Sequence, residues 1–289
     1  MNSTALLLVL GGALCHAVWN LLSKKAGGGL HFVWLFGLVS ILLTLPFGIA
    51  AWWANPQQLS PLALAGIAGS AAIHAVYSLV LQRGYRLADF SVVYPLARGT
   101  GPLFSIVGAI ALLGEMPSLT GWAGIAAILV GIALISGIHL ALRTPTPRTR
   151  AGLHWGSLTG LSIAAYTLLD GWAIKVLGLA PMLFYSLCLV ARSVMLTPLA
   201  LRDPAGLRRE WQRNRRLILA VGALSPAAYA LTLFALTRAP LSYVAPVREL
   251  SMLIGVLIGS RLLSESLTPS RLMGTACMVA GIAVLAVAP

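Results

Sequence analysis

The sequence predicts an all-α integral membrane protein, with ten transmembrane helices arranged as two inverted five-helix repeats around a central cavity. Apolar residues are 58% of the 289 and charged residues only 9%, against about 25% charged in a soluble domain. Such a chain cannot cover its own surface in water. That excludes an ordinary soluble enzyme, a disordered protein and a disulfide-stapled secreted module. Ten apolar runs each approach the roughly 20 residues that cross a hydrocarbon core. Backbone groups in lipid must bond within their own segment, so the runs are helices. The last five runs repeat the first five.

The first run, 3–22, has no Lys or Arg before it, so the basic start of a signal peptide is missing. Leu14 stands before Cys15 where a lipoprotein cleavage site needs a small residue, and the run is read as a retained span. Runs 31–53 and 61–82 follow, parted by the turn residues NPQQ at 55–58. Run 90–113 holds Pro95 and Arg98 and stops at EMPS, 115–118; run 120–142 completes the first half. The stretch RTPTPRTRAGLH at 143–154, with two prolines and three arginines, reads as a linker. The second half holds runs 155–174, 181–201, 217–237, 242–262 and 270–288, with a long basic connection at 202–216. The organisation is therefore 1–142 as first repeat, 143–154 as linker and 155–289 as second repeat.

The repeat is visible in letters. Residues 91–115 read SVVYPLARGTGPLFSIVGAIALLGE, and 242–265 read SYVAPVRELSMLIGVLIGSRLLSE. Pro95 meets Pro246 and Arg98 meets Arg248; Glu115 meets Glu265, Gly124 meets Gly274 and Gly131 meets Gly281 at a common offset of 150. Tyr77 and Tyr229 pair at 152. Five helices per copy is an odd number, so the second copy enters the membrane from the opposite side. Inverted repeats with a site near the midplane are the architecture of secondary transporters.

The net charge is +13, from 20 Lys+Arg against 7 Asp+Glu. The basic residues lie mostly between apolar runs. Loops after odd-numbered helices and their flanks carry 15 of them, while loops after even-numbered helices carry only Lys175 and Arg238. That asymmetry reads as membrane orientation, with odd loops cytoplasmic and both termini outside. It does not read as nucleic-acid binding. The cluster RREWQRNRR, Arg208 to Arg216, suits anionic lipid at the membrane surface. Cys15, Cys188 and Cys277 lie in apolar runs without metal spacing and read as packing residues.

Ten spans, two five-helix copies and the closing pattern E-x8-G-x6-G-I-A of each copy resemble the drug/metabolite transporter superfamily, EamA type. The opening GGALCHAVWNLLSKKA, with Trp19-Asn20 before a Lys pair, resembles the first helix of that family. The resemblance spans essentially the whole chain. Length and aromatic helices are similar to bacterial exporters of amino acids, including the YddG-type aromatic amino-acid exporters. It implies a multi-pass protein of the bacterial inner (cytoplasmic) membrane that moves a small molecule by alternating access, with no cofactor.

Ionisable and polar groups inside spans are expensive and therefore mark candidate sites. His74 and Tyr77 are three apart and share a helix face. With Tyr94, Tyr229, Tyr166, Trp19 and Asn20 they suggest an aromatic cavity with a few polar points, which suits a zwitterion with a bulky apolar side chain. Tyr and Trp also anchor helices at membrane interfaces, which fits Trp52, Trp53, Trp122, Trp155 and Trp211. Arg98 and Arg248 either hold a substrate carboxylate or fix the repeats to backbone carbonyls at the bends. Pro95 and Pro246 each remove a backbone donor and are expected gating hinges. Asp170 and Glu249 are the only acids inside spans; with His74 they are the groups that proton coupling would use. Glu115 and Glu265 precede helices 5 and 10, where a carboxylate favours a helix N-terminus.

No HExxH, paired Cys-x-x-Cys or phosphate loop with Lys occurs, so no catalytic residue, metal or cofactor is expected. The function read from these observations is export of neutral or aromatic amino acids by a monomer. A nucleotide-sugar or sugar-phosphate exchanger and a multidrug exporter are alternatives. An integral membrane enzyme is a more distant one.

Overall fold

A computed structural model describes residues 2–88, 90–136, 146–254 and 269–288. For residues 24, 90–92, 94, 95, 136, 149 and 271 within that range, the backbone alone is described. Among the described residues the regular structure is helical throughout: α1 (Ser3–Ala26), α2 (Leu30–Ala54), α3 (Pro61–Leu87), α4 (Phe90–Leu113), α5 (Leu119–Ser136), α6 (Pro147–Lys175), α7 (Pro181–Ala200), α8 (Pro204–Leu236), α9 (Leu241–Arg248) and α10 (Pro269–Val287).

Local chemistry sets the starts and stops. Ser60 accepts a hydrogen bond from the Ala63 amide at 3.2 Å ahead of α3, with Pro61 at the first helical position. Asp203 accepts from the Gly206 amide at 2.7 Å ahead of α8, again followed by Pro. Proline suits that position because its missing N–H has no partner there anyway. Gly27 and Gly178, with φ of 58° and 66°, follow α1 and α6, where a left-handed residue ends a helix at little cost.

Two expected loops are helical instead. The linker at 143–154 becomes α6 from Pro147 onward, and the connection at 202–216 becomes the first turns of α8 from Pro204. In both places a proline that reads as a breaker opens a helix. The 33 residues of α8 extend about 50 Å, against about 30 Å of hydrocarbon, so its basic end stands clear of the membrane core.

Among the described residues six helices are long and apolar enough to span a bilayer: α1, α2, α3, α4, α7 and α8. Helices α5 and α10 are apolar and shorter over their described residues. Helix α6 carries Asp170 in its apolar part. The span expected at 242–262 is interrupted: α9 ends at Arg248, the backbone turns at Glu249, and helix resumes over 250–254.

Exchanging each helix for the one five places later maps most of the contacts between the halves onto one another. Helix α1 packs on α8 as α3 packs on α6; α4 on α6 matches α1 on α9; α2 on α8 matches α3 on α7. Three pairs, α2–α7, α4–α9 and α5–α10, map onto themselves. The α5–α10 seam runs antiparallel. A Cβ on Gly124 would lie 2.9 Å from the Gly281 carbonyl oxygen, and one on Gly131 would lie 2.6 Å from that of Gly274. Glycine is required there because backbone meets backbone.

Most of the described basic residues outside the spans gather at one end of the bundle. Asn214 of α8 reaches the Ala26 carbonyl of α1 at 3.3 Å, Gln82 of α3 reaches Ser23 at 3.4 Å, and Arg83 lies over the Trp155 ring of α6 at 5.5 Å. At the other end Glu115 accepts hydrogen bonds from the Leu241 and Ser242 amides, each at 2.8 Å, and pairs with Lys175 at 3.2 Å. It thus caps α9 of the other half rather than the neighbouring α5. Burial opposes its charge, but those amides and Lys175 outweigh it and hold the carboxyl below its ordinary value. Glu265, its repeat partner, lies outside the described residues.

Candidate functional site

A cavity opens between the halves. Helix α3 brings His74, Tyr77 and Ser78 to it; α7 brings Tyr185, Cys188 and Arg192; α8 brings Ser225 and Tyr229. Helices α1, α2 and α6 complete the wall with Trp19, Phe36 and Tyr166. Tyr166 is the centre of the aromatic packing. The His74 ring stacks on it at 4.1 Å, and Tyr77 and Tyr229 meet it edge-on at 5.4 and 5.9 Å. Tyr185 adds to Tyr229 at 5.1 Å.

One shell behind that wall sits Asp170, 1% exposed. Ser70 donates to its Oδ1 at 2.5 Å, His74 Nε2 lies 3.1 Å from its Oδ2, and the Tyr229 hydroxyl donates to the same Oδ2. The spacing of Ser70 and His74 puts both on one face of α3, and the antiparallel pairing with α6 brings Asp170 opposite. A buried carboxylate without hydrogen-bond donors is very costly; here three donors from α3 and α8 satisfy it. Asp170 therefore sets the orientation of two cavity side chains.

A second charged node joins α4 to the turn after α9. Arg98 Nη1 lies 3.4 and 3.3 Å from the two carboxylate oxygens of Glu249, and Arg248 Nε lies 3.7 Å from Oε1. All three residues are buried. Arg98 Nη2 also meets Nε2 of His16, while Trp19 donates to His16 Nδ1 at 3.0 Å. A neutral imidazole accepts at one nitrogen only, so one of these two contacts is a hydrogen bond and the other is not.

Of the residues singled out in the sequence, the structure brings His74, Tyr77, Tyr229 and Trp19 to one cavity. Arg98 belongs to the second node and does not line the cavity, and Asn20 bonds back to the His16 carbonyl of its own helix at 2.8 Å. Pro246 is the sixth residue of α9, just before the turn at Glu249. The backbone of Tyr94 and Pro95 lies in α4, and their side chains lie outside the described residues. Sequence reasoning passed over Tyr185, His16 and Arg192 as wall residues and did not see Asp170 as the hub.

Comparisons with known proteins point the same way. The model of the EamA-like transporter family matches residues 3–137 and again 150–287. No curated protein matches the chain. A crystal structure described only as that of a protein shares the fold, with a TM-score of 0.72 at 16% identity over 99% of both chains. At that identity the likeness speaks for the fold alone. The family match covers both copies of the repeat and nearly the whole chain: this multi-pass membrane protein belongs to the EamA-like transporter family, whose members move small molecules and are not enzymes.

Proposed function

We propose that this transporter exports neutral amino acids with large apolar or aromatic side chains from the bacterial cytoplasm by alternating access. The observation that carries the reading is the cavity itself. Four tyrosines, a tryptophan and a phenylalanine supply flat apolar surface, while His74, Ser78 and Ser225 supply polar points. His74, Tyr77, Tyr229, Trp19 and Tyr94 contact the substrate in this reading. The Asp170 carboxylate behind His74 and Tyr229 draws the ammonium group toward that wall.

The repeats 1–142 and 155–289, joined at 143–154, move as inverted five-helix halves in this proposal. The antiparallel α5–α10 seam supports it, because copies related by an axis along the membrane normal would place those partners parallel. The gathering of basic residues at one end supports a cytoplasmic location for that end, with anionic lipid at Arg208 to Arg216 and a monomer as the working unit. Pro95 and Pro246 bend the matching helices that gate the two sides.

The test is transport in proteoliposomes, with phenylalanine set against a sugar phosphate and an organic cation. Phenylalanine is expected to move. Tyr77→Ala and His74→Ala should each lower its rate about 3- to 10-fold, in line with roughly 0.5–1.5 kcal/mol per aromatic contact, while still reaching the membrane. Parent protein that carries only the sugar phosphate or the cation removes the amino-acid reading and leaves the fold untouched.

A further inference from the structure

The interior holds an uneven set of charges. Among the described residues within the spans, three guanidinium groups, Arg98, Arg192 and Arg248, face two carboxylates, Asp170 and Glu249. Glu249 is shared by Arg98 and Arg248. Asp170 is satisfied by Ser70, His74 and Tyr229. Arg192 stands apart from both.

Arg192 is 8% exposed, lines the cavity, and its Nη2 has no hydrogen-bond partner among the described residues. Its guanidinium lies 5.7 Å from the Phe36 ring. Among the described residues, the ionisable groups that act on it most are Tyr185, Cys188 and Tyr77, none of them a carboxylate. Room for it is made by Gly37, where a Cβ would come within 3.3 Å of Nη2. A cation over a ring face is partly compensated, but a buried charge lacking an acid partner still costs several kcal/mol. A chain keeps such a group where a ligand completes it.

We infer that Arg192 is the carboxylate anchor of the cavity, so the transported compound is a monocarboxylate with an apolar or aryl body. This rests on the amino-acid reading above and deepens it by naming the atom that grips one end of the substrate. A single guanidinium matches one carboxylate by paired N–H···O bonds. A phosphate dianion needs a second cation, and the two other arginines inside the spans lie beside Glu249 and do not line the cavity. The body then lies on Phe36, Tyr77, Tyr185 and Trp19.

Binding of three probes to the purified protein tests the assignment by calorimetric titration: 3-phenylpropionate, its neutral amide and phenethylamine. The parent should bind the acid at least about tenfold more tightly than the amide, the span of a charge-assisted hydrogen bond. Arg192→Gln should abolish that preference, and Arg192→Lys should keep part of it, because the charge stays while the fork is lost. Phenylalanine transport by Arg192→Gln should show a KM raised about tenfold with the maximal rate held. Where Arg192→Gln fails to reach the membrane, Arg192→Lys and the probe series on the parent decide. A parent that binds the amide as well as the acid, or an Arg192→Gln variant that still prefers the acid, overturns the assignment. A parent that moves no amino acid but prefers the acid through Arg192 keeps the anchor and removes the amino-acid reading. Phenylalanine transport with an unchanged KM in Arg192→Gln does the reverse.

Discussion

Two charged nodes lie buried in the same bundle and are built on different plans. At Arg98–Glu249–Arg248 an acid is held between two cations, all buried, and the bonds run between α4 and the turn after α9. At Asp170 an acid is held by three polar groups carrying no fixed charge, two of which present their other faces to the cavity. Removing the Glu249 charge from the first node leaves two buried cations without their acid. Removing it from the second leaves hydrogen bonds to rearrange. Buried charge in this protein therefore has two uses: one ties the halves together, the other orients side chains toward the cavity.

Substitutions sharpen that contrast. The largest expected effect is Glu249→Gln, which leaves Arg98 and Arg248 buried without their acid. Breaking a buried pair costs about 3–5 kcal/mol, so the thermal unfolding midpoint in detergent should fall sharply and little protein should reach the membrane. A Glu249→Gln variant of parental stability breaks the comparison at its first term. Asp170→Asn should cost about 1–3 kcal/mol, the range for a donor left unmatched, because the new amide presents an N–H₂ where a donor now points. That variant should fold, yet phenylalanine transport should fall by more than its stability predicts. Equal losses in both assays would make Asp170 a purely structural residue, as Glu249 is.

The smallest effect belongs to the ion pair at the bundle's end. The Glu115 side chain is mostly buried and its folded-state carboxyl is lowered from the ordinary 4.5. A lowered value means the contribution is fully present above about pH 4.5 and is lost as pH falls through the folded-state value. Its partner Lys175 is exposed, so solvent screens the pair and the contribution stays under about 1 kcal/mol. Unfolding midpoints of the parent and of Glu115→Gln should therefore differ above pH 5 and converge in acid. Parallel curves at all pH values would show that the α9 cap does not depend on charge.

The elements were largely legible in the sequence, because length and apolarity set a membrane helix. The misreadings at 143–154 and 202–216 share one cause: Pro147 and Pro204 look like breakers, while the physics of a helix start welcomes proline. The site was legible only in part. His74 and Tyr77 stood out as polar groups in mid-span, and Tyr229 as the repeat partner of Tyr77. Arg98 and Arg248 drew notice through the same symmetry, and that pair joins the halves instead of lining the cavity. Arg192 has no such partner; offsets of 150–152 lead to Leu42, Ile41 and Ser40. Asp170 was visible as an intramembrane acid, but its role depends on three donors 59 to 100 residues away, a distance that no local pattern carries.

The interlaced packing also dictates how the molecule can be made. The most extensive helix contacts all join one half to the other, with α1 on α8, α2 on α7, α4 on α6 and α5 on α10. As the chain leaves the ribosome, α5 must wait for α10, some 150 residues later; at about 5–20 residues per second that is roughly 8–30 s in the bilayer with its glycine face uncovered. The first five helices are thus a unit of sequence without being a unit of assembly, and a chain interrupted after residue 136 leaves the ribosome with almost every tertiary partner still unmade.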